Sequence, residues 1–300
     1  MKRREDTAER PTPVPDVKRE ELERLLSLNF AVVDALTGKK LRDKRLVYID
    51  TLARKLFQHG VTAFALWTNH TRAKISGLDF GIDFVDLASI QVLARACLET
   101  YLAFHYIYED ACDDDEFEFR YSAWMLAGFV KRESFPVLTQ EAWRQVTTDA
   151  TVNKRERRRI RKTARFQQLK PGTQKQVLDG RNWHPGTSLS ALSERILGRT
   201  WGKAMYSYLS SYAHSDALSA VQMQQMVSTD RTLGFAATTM LTIGIIVAQM
   251  TASYGRKFVV ARKILQGHAD RELNELYASF PQYLPLPRGP IAGESVSCHD

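Results

Sequence analysis

The stretch DFVDLASIQVLARACLETYLAFHYIYED, residues 83–110, decides the fold of this 300-residue chain. Its apolar residues are spaced so that they cover nearly the whole circumference of a helix. A helix that is apolar on all sides packs in the centre of a helical bundle rather than at its surface. We therefore predict that residues 83–110 form a central helix and that other helices surround it.

The rest of the chain extends this prediction to an all-α fold. Hydrophobic residues make up 44% of the chain and charged residues 25%, as in an ordinary globular domain. Helical spacing recurs along the sequence, whereas the alternation typical of strands does not persist. The sequence predicts a single bundle of about seven to nine helices over residues 17–268. Residues 1–16 are predicted to be a disordered leader, and the Pro-rich residues 269–300 an extended C-terminal tail.

Charge is distributed unevenly along the chain. The formal net charge is +8, and residues 153–165, NKRERRRIRKTAR, contain eight Lys or Arg residues and one Glu. Residues 109–118, EDACDDDEFE, are strongly acidic instead. The basic segment predicts contacts with the phosphates of RNA or of another polyanion through Arg157, Arg158 and Arg161. Two solvent-exposed helix ends are the alternative interpretation, because a charge run is a weak signal.

The number and spacing of the cysteines indicate the cellular compartment and whether a metal site is expected. Cys97, Cys112 and Cys298 show neither a CxxC motif nor the Cys/His spacing of a metal site. So sparse a set predicts a reducing compartment, and the start of the chain has no apolar signal segment. We therefore predict a cytoplasmic protein without a metal or a cofactor.

Residues 232–254 raise the question of a membrane. They contain no charged residue and are long enough to span a bilayer. Thr238, Thr242 and Gln249 interrupt the apolar run, which favours a buried helix of the bundle. Thr and Gly side chains also line helix contacts in lipid, so a membrane span stays open as the alternative.

Two helices carry polar residues that a packed core does not need. Arg95 and Glu99 share one stripe of the 83–110 helix, where a charged side chain is costly unless it is paired. Downstream, YSYLSSYAHSD places Tyr206, Ser210 and His214 along one side of a second helix, opposite its apolar stripe. Histidine suits proton transfer near neutrality. A structural ion pair and a histidine that caps or hydrogen-bonds a neighbouring helix are the alternatives.

The motifs on these two helices resemble those of an uncharacterised bacterial family of all-helical proteins, a domain of unknown function. In that family Arg-x-x-x-Glu on one helix precedes Tyr-x-x-x-Ser-x-x-x-His on another. RACLE and the segment ALSERILGRTWGKAMYSYLSSYAHSD match this pattern, and the resemblance covers roughly residues 83–220.

A more distant similarity is to the HEPN helical ribonucleases, which often belong to toxin–antitoxin and antiviral systems. Their hallmark is an Arg followed four to six positions later by a His on the same helix. In this chain LSSYA precedes His214, so Arg95 of the other helix would have to supply the guanidinium.

The resemblance implies a metal-independent endoribonuclease. Arg95 would hold the phosphate, His214 would act as general acid or base, and Glu99 would orient one of them. Tyr206 and Ser210 would contact the substrate. The alternative is a binding protein that recognises an anionic ligand, a nucleic acid or a protein partner through the same residues. A protein partner or a homo-oligomer is a further expectation. A third interpretation is a buried Arg–Glu–His network that only fixes helix packing.

Overall fold

Helices account for most of the residues that the structure describes. The computed structural model describes residues 18–41, 43–69, 71–74, 81–214, 216–225 and 229–283. The predicted all-α fold is confirmed. These residues form 13 α-helices, more than the seven to nine predicted, because short turns divide several of the predicted segments. The helices are α1 (Arg19–Asp34), α2 (Val47–Asn69), α3 (Leu87–Phe104), α4 (Asp114–Glu133), α5 (Gln140–Lys162), α6 (Ala164–Gln167), α7 (Pro171–Leu178), α8 (Leu189–Ile196), α9 (Arg199–Ala213), α10 (Ala217–Gln225), α11 (Thr229–Lys257), α12 (Val259–Gly267) and α13 (Arg271–Ser279).

A short antiparallel ribbon lies between α2 and α3 in the chain. Its strands are β1 (Thr71–Lys74) and β2 (Gly81–Phe84), with Thr71 opposite Phe84. Each strand has four residues, so the ribbon leaves the fold class unchanged.

The centre of the main core is formed by α3 and α11. Helix α3 packs against α2, α9 and α11, and α11 also contacts α1, α12 and α13. Ile90, Leu98 and Phe104 of α3 are fully buried, as are Ile243 and Ile246 of α11. The central position predicted for the 83–110 helix is therefore confirmed.

The limits of α3 follow from its own side chains. Asp86 accepts a hydrogen bond from the amide of Ser89 at 3.0 Å and so caps the first turn. After Phe104 the chain continues as a π-helical turn over His105–Glu109. Helix α3 thus begins four residues later than the predicted stretch. At its C-terminal end the α-helical hydrogen bonds are replaced by those of a π-helix.

Two helical stretches, Leu87–Glu109 and Arg231–Lys257, are long and apolar enough to span a membrane by length and composition. In each of them 67% of the most apolar window is buried inside the protein. Residues 232–254 lie in the second stretch, within α11. This burial favours the core-helix interpretation of these residues over a membrane span.

A second, smaller core is formed by α4, α5, α6 and α7. Phe119 and Leu126 of α4 pack there with Ile160 of α5, Phe166 of α6 and Val177 of α7. This layer holds the basic segment of α5, because Ile160 anchors the inner side of that helix.

The extended tail predicted from residue 269 is wrong over its first part. Helix α13 lies within this range and packs on α11. It buries Asn274 and Tyr277, and the Tyr277 hydroxyl donates a hydrogen bond to Glu21 at 2.9 Å. Residues 284–300 and the predicted leader, residues 1–16, lie outside the described residues.

Candidate functional site

Helices α3 and α9 meet through one buried arginine. Arg95 is only 7% exposed. Its Nε donates a hydrogen bond to Glu99 at 2.9 Å, and its Nη2 lies 2.8 Å from the same carboxylate. Its Nη1 donates to the Tyr206 carbonyl oxygen and to the Ser210 hydroxyl, both at 2.7 Å. Every nitrogen of the guanidinium therefore has a protein partner.

The same contact includes an aromatic ring. The guanidinium carbon of Arg95 lies 3.6 Å from the centre of the Tyr206 ring, a cation–π contact. The structure thus brings together four of the five predicted residues, Arg95, Glu99, Tyr206 and Ser210. With its nitrogens engaged and one face covered, the guanidinium is arranged to join two helices rather than to receive a phosphate.

His214 lies apart from this group. Helix α9 ends at Ala213, and His214 is an exposed residue just past that end. Its backbone N–H donates to the Ser210 carbonyl at 3.0 Å. In the part of the chain that the structure describes, no hydrogen bond or ion pair joins the imidazole to Arg95 or Glu99.

The direction of α9 explains this separation. Arg195, near the end of α8, forms an ion pair with Asp110, which lies beyond the C-terminal end of α3. Helix α9 therefore begins near that end and runs back towards the start of α3. Glu99 lies one turn from Arg95 towards the start of α9, whereas His214 lies beyond Ser210 in the opposite direction.

The exposed charges of α5 form a second candidate site. Lys154, Arg158, Arg161 and Lys162 are all exposed, and they lie within an arc of about 100° on the helix. Within the described ranges, no hydrogen bond or ion pair engages any of these four side chains. We call these four residues the cationic face. A shallow depression of about 560 Å³ runs beside it, lined mainly by basic residues and by Thr151.

Other charged side chains of this segment are engaged within the protein. Glu156 is fully buried and pairs with Arg155 at 2.8 Å and with Arg159 at 3.5 Å. Arg157 is half-buried, and its Nε donates to the Leu178 carbonyl at 3.0 Å. Of the three predicted phosphate contacts, Arg158 and Arg161 have no side-chain partner among the residues that the structure describes, whereas Arg157 is engaged with α7.

The acidic tract is largely neutralised by its neighbours. Asp114 and Glu118 form ion pairs with Arg45 at 2.8 and 3.0 Å. Asp115 accepts hydrogen bonds from the first two backbone amides of α6, Ala164 and Arg165, at 3.0 and 3.1 Å. Asp114 and Glu118 are therefore paired with a cation, and Asp115 stabilises the start of α6.

An ion pair with a fully buried carboxylate joins α5 to α4. Arg132 of α4 donates two hydrogen bonds to the fully buried Asp149 of α5, at 2.6 and 2.5 Å. Gln145 donates a third at 3.0 Å. Burial alone raises the pKa of Asp149, but the hydrogen bonds from Arg132 and Gln145 outweigh it and hold that pKa below its ordinary value. The pair sets the register of the two helices and so the direction in which the cationic face points.

A cleft of about 830 Å³ lies beside α4, away from the predicted residues. Its lining includes Tyr48, Trp124 and Trp183 together with the basic residues Lys131 and Arg181. A volume of this size is typical of a pocket for a small organic ligand. None of the residues predicted from the sequence lines it.

No metal site is evident in the part of the chain that the structure describes. No group of three or more His, Cys, Asp or Glu side chains there is placed to hold a metal ion. Cys97 is buried and Cys112 is exposed, and both are free thiols. Burial raises the pKa of Cys97 to about 12, so this thiol is not a reactive nucleophile at neutral pH. Cys298 lies outside the described residues.

Two residues of the cationic face were missed by sequence reasoning. Lys154 and Lys162 belong to it with Arg158, at spacings of four residues. This i, i+4, i+8 spacing is visible in the sequence and could have identified them. The burial of Glu156 and the engagement of Arg157 depend on α4 and α7, and no local pattern reveals them.

Comparison with protein-family models, curated proteins and solved structures finds no match to this chain. Its class is therefore defined by its fold and by the two candidate sites. It is an all-α bundle in which Arg95, with every guanidinium nitrogen engaged, joins α3 to α9, and α5 presents a row of cations that have no partner among the described residues.

Proposed function

We propose that this protein binds RNA through the cationic face of α5, without turnover. The observation that carries the proposal is that Lys154, Arg158, Arg161 and Lys162 are exposed and lack partners in the described structure. Cations on one helix face neutralise backbone phosphates and release counterions, which supplies sequence-independent affinity. Positions four residues apart lie about 6 Å apart along the helix axis, which suits a row of successive phosphates.

The rigidity of the support adds to this affinity. Arg159 pairs with Glu118 of α4, and the Arg132–Asp149 pair also joins α5 to α4. The cationic face is therefore presented by a packed helix rather than by a flexible arm, and less entropy is lost when a ligand binds.

Charge reversal tests the proposal. The variant Lys154→Glu/Arg158→Glu/Lys162→Glu should lose affinity for a labelled single-stranded RNA by about tenfold or more at low salt. The measurement is fluorescence anisotropy, with circular dichroism to verify folding. The control, Lys175→Glu/Lys203→Glu/Lys263→Glu, changes three exposed lysines of α7, α9 and α12 and so changes net charge equally.

The control variant should keep nearly all of the affinity for RNA. An equal loss in the two triple variants would mean that net charge alone drives binding, and it would overturn the assignment to α5. Absence of binding by the unaltered protein would overturn the proposal itself.

The predicted endoribonuclease is the second candidate. The observation that favours it is that Tyr206 and Ser210 both contact Arg95, and that His214 follows Ser210 by four residues, just past the end of α9. His214→Ala should then abolish RNA cleavage in the presence of a chelator while folding and RNA binding are unchanged. Cleavage that persists in this variant, or no cleavage by the unaltered protein, would exclude the mechanism.

A further inference from the structure

We infer that Trp143 stacks on an unpaired base at one end of the cationic face, so that the face selects single-stranded over double-stranded nucleic acid. The inference deepens the proposed function and depends on it. It starts from an exposed aromatic side chain that the fold does not use: Trp143 is 62% exposed, in the first turn of α5. No aromatic ring among the described residues packs against its indole.

The helical register places Trp143 in line with the cations. It precedes Arg161 by 18 residues, which is five full turns of an α-helix, and Lys154 by 11 residues, about three turns. The indole therefore points to the same side of α5 as the cationic face. From Trp143 to Arg161 the axial distance is about 27 Å, long enough for several nucleotides.

Small side chains lie directly between the indole and Lys154 on this side of α5. Thr147 and Ala150 lie on this side of α5 and are exposed, and both side chains are small. The Thr147 hydroxyl donates to the Trp143 carbonyl at 3.0 Å, which turns it back towards the helix. A strand held by phosphates at Lys154, Arg158 and Arg161 can therefore lie along the helix as far as the indole.

An aromatic side chain beside a row of cations is the combination that binds single strands. The cations follow the backbone and the ring stacks on a base, whatever the sequence. In a duplex each base is stacked between its neighbours. The indole therefore cannot stack on a base of a duplex and adds no affinity for it. The preference for single strands therefore depends on Trp143, whereas the affinity for phosphate depends on the cations.

The neighbouring exposed apolar residues supply a matched control. Leu138 is 86% exposed and lies just before α5, outside its helical register. A protein or lipid surface that docked on the apolar turn between α4 and α5 would contact Leu138 as well as Trp143. A stacked base would contact Trp143 alone.

The test compares Trp143→Ala, Trp143→Phe and Leu138→Ala on a 12-nucleotide RNA, on its duplex and on anionic phospholipid vesicles. Trp143→Ala should bind the single strand about tenfold more weakly and the duplex unchanged. Trp143→Phe should keep most of the single-strand affinity because a ring remains, and Leu138→Ala should behave as the unaltered protein.

Three results would overturn the inference. One is an unchanged affinity of Trp143→Ala for the single strand, and another is an equal loss for strand and duplex. The third is a loss shared by Leu138→Ala, or a loss of vesicle binding alone, which would assign the indole to a protein or lipid surface. If the unaltered protein binds RNA but Trp143→Ala has no effect, only the stacking fails; if it binds no RNA, the proposed function fails too.

Discussion

The guanidinium of Arg95 lies against the ring of Tyr206 at 3.6 Å and donates a hydrogen bond to the carbonyl of the same residue at 2.7 Å. One side chain of α3 therefore engages both the ring and the backbone of one residue of α9. Glu99 completes the contact, although 45% of its side chain is exposed. The group is arranged to fix how two core helices pack.

Replacing Glu99 alone should be costly for that reason. Glu99→Leu should lower the free energy of unfolding by about 2 kcal/mol, because Arg95 stays buried without its charge partner. Adding Arg95→Met removes the buried charge, so the double variant should lose much less than the sum of the single losses. Urea unfolding in a double-mutant cycle measures this coupling.

Strictly additive losses would contradict a coupled pair. RNA affinity supplies a second readout, since the double variant should bind RNA as well as the unaltered protein does. A loss of binding in that variant would assign Arg95 to the RNA site instead.

Helices α8 and α9 approach each other closely at Gly202 of α9. A Cβ atom at this position would overlap the carbonyl oxygen of Ser193, whose hydroxyl donates to the Gly202 carbonyl at 2.7 Å. Gly202→Ala should therefore force the two helices apart and lower the free energy of unfolding by about 3 kcal/mol. Thermal or urea unfolding measures the loss.

The matched control for this change is Gly128→Ala in α4. Apart from its own stretch of helix, no atom of the described residues lies within 4 Å of the Cβ that this substitution adds. It should raise the free energy of unfolding by about 0.5 to 1 kcal/mol, since alanine favours the helix over glycine. Equal effects of the two substitutions would contradict the close approach of α8 and α9.

The ionisation of Glu116 makes the free energy of unfolding depend on pH in the acid range. Burial by itself raises its pKa, but the hydrogen bonds from Cys112 and Arg120 outweigh burial and lower the pKa from 4.5 to about 2. A lowered pKa in the folded state adds stability above the unfolded value of 4.5. That contribution is lost progressively as the pH falls from there towards about 2.

Glu116→Gln should therefore unfold more easily than the unaltered protein at about pH 6, and its stability should fall less between about pH 4.5 and 2.5. Urea unfolding at a series of pH values measures both effects. Glu20→Gln, at an exposed position of α1, is the control and should follow the unaltered protein. Parallel curves for Glu116→Gln and the unaltered protein would contradict this role of Glu116.

The fold was predictable where the residues of one segment are enough to indicate its structure. The apolar run of 83–110 places α3 at the centre, and the four-residue spacing of Arg95 and Glu99 predicts that they can pair. The failures depend on tertiary contacts. Helix α13 exists because Tyr277 and Asn274 bury themselves against α11, and the Pro-rich composition of the last residues conceals this.

The candidate site was predictable only in part for the same reason. Helical spacing places His214 in line with Ser210, but α9 ends one residue earlier and leaves the imidazole in solvent. The run of basic residues at 153–165 is obvious in the sequence. Which of its cations are free depends on the buried Glu156 and on the Leu178 carbonyl that engages Arg157, and only the packed layer decides this.

The dependence of RNA affinity on salt tests the central claim most directly. If Lys154, Arg158, Arg161 and Lys162 each contact one phosphate of a single strand, the logarithm of the association constant should fall against the logarithm of salt concentration with a slope of about −3. In Lys154→Glu/Arg158→Glu/Lys162→Glu only Arg161 remains, so the slope should shrink to about −0.7. A slope that is the same in this variant and in the unaltered protein would contradict binding by the cationic face of α5.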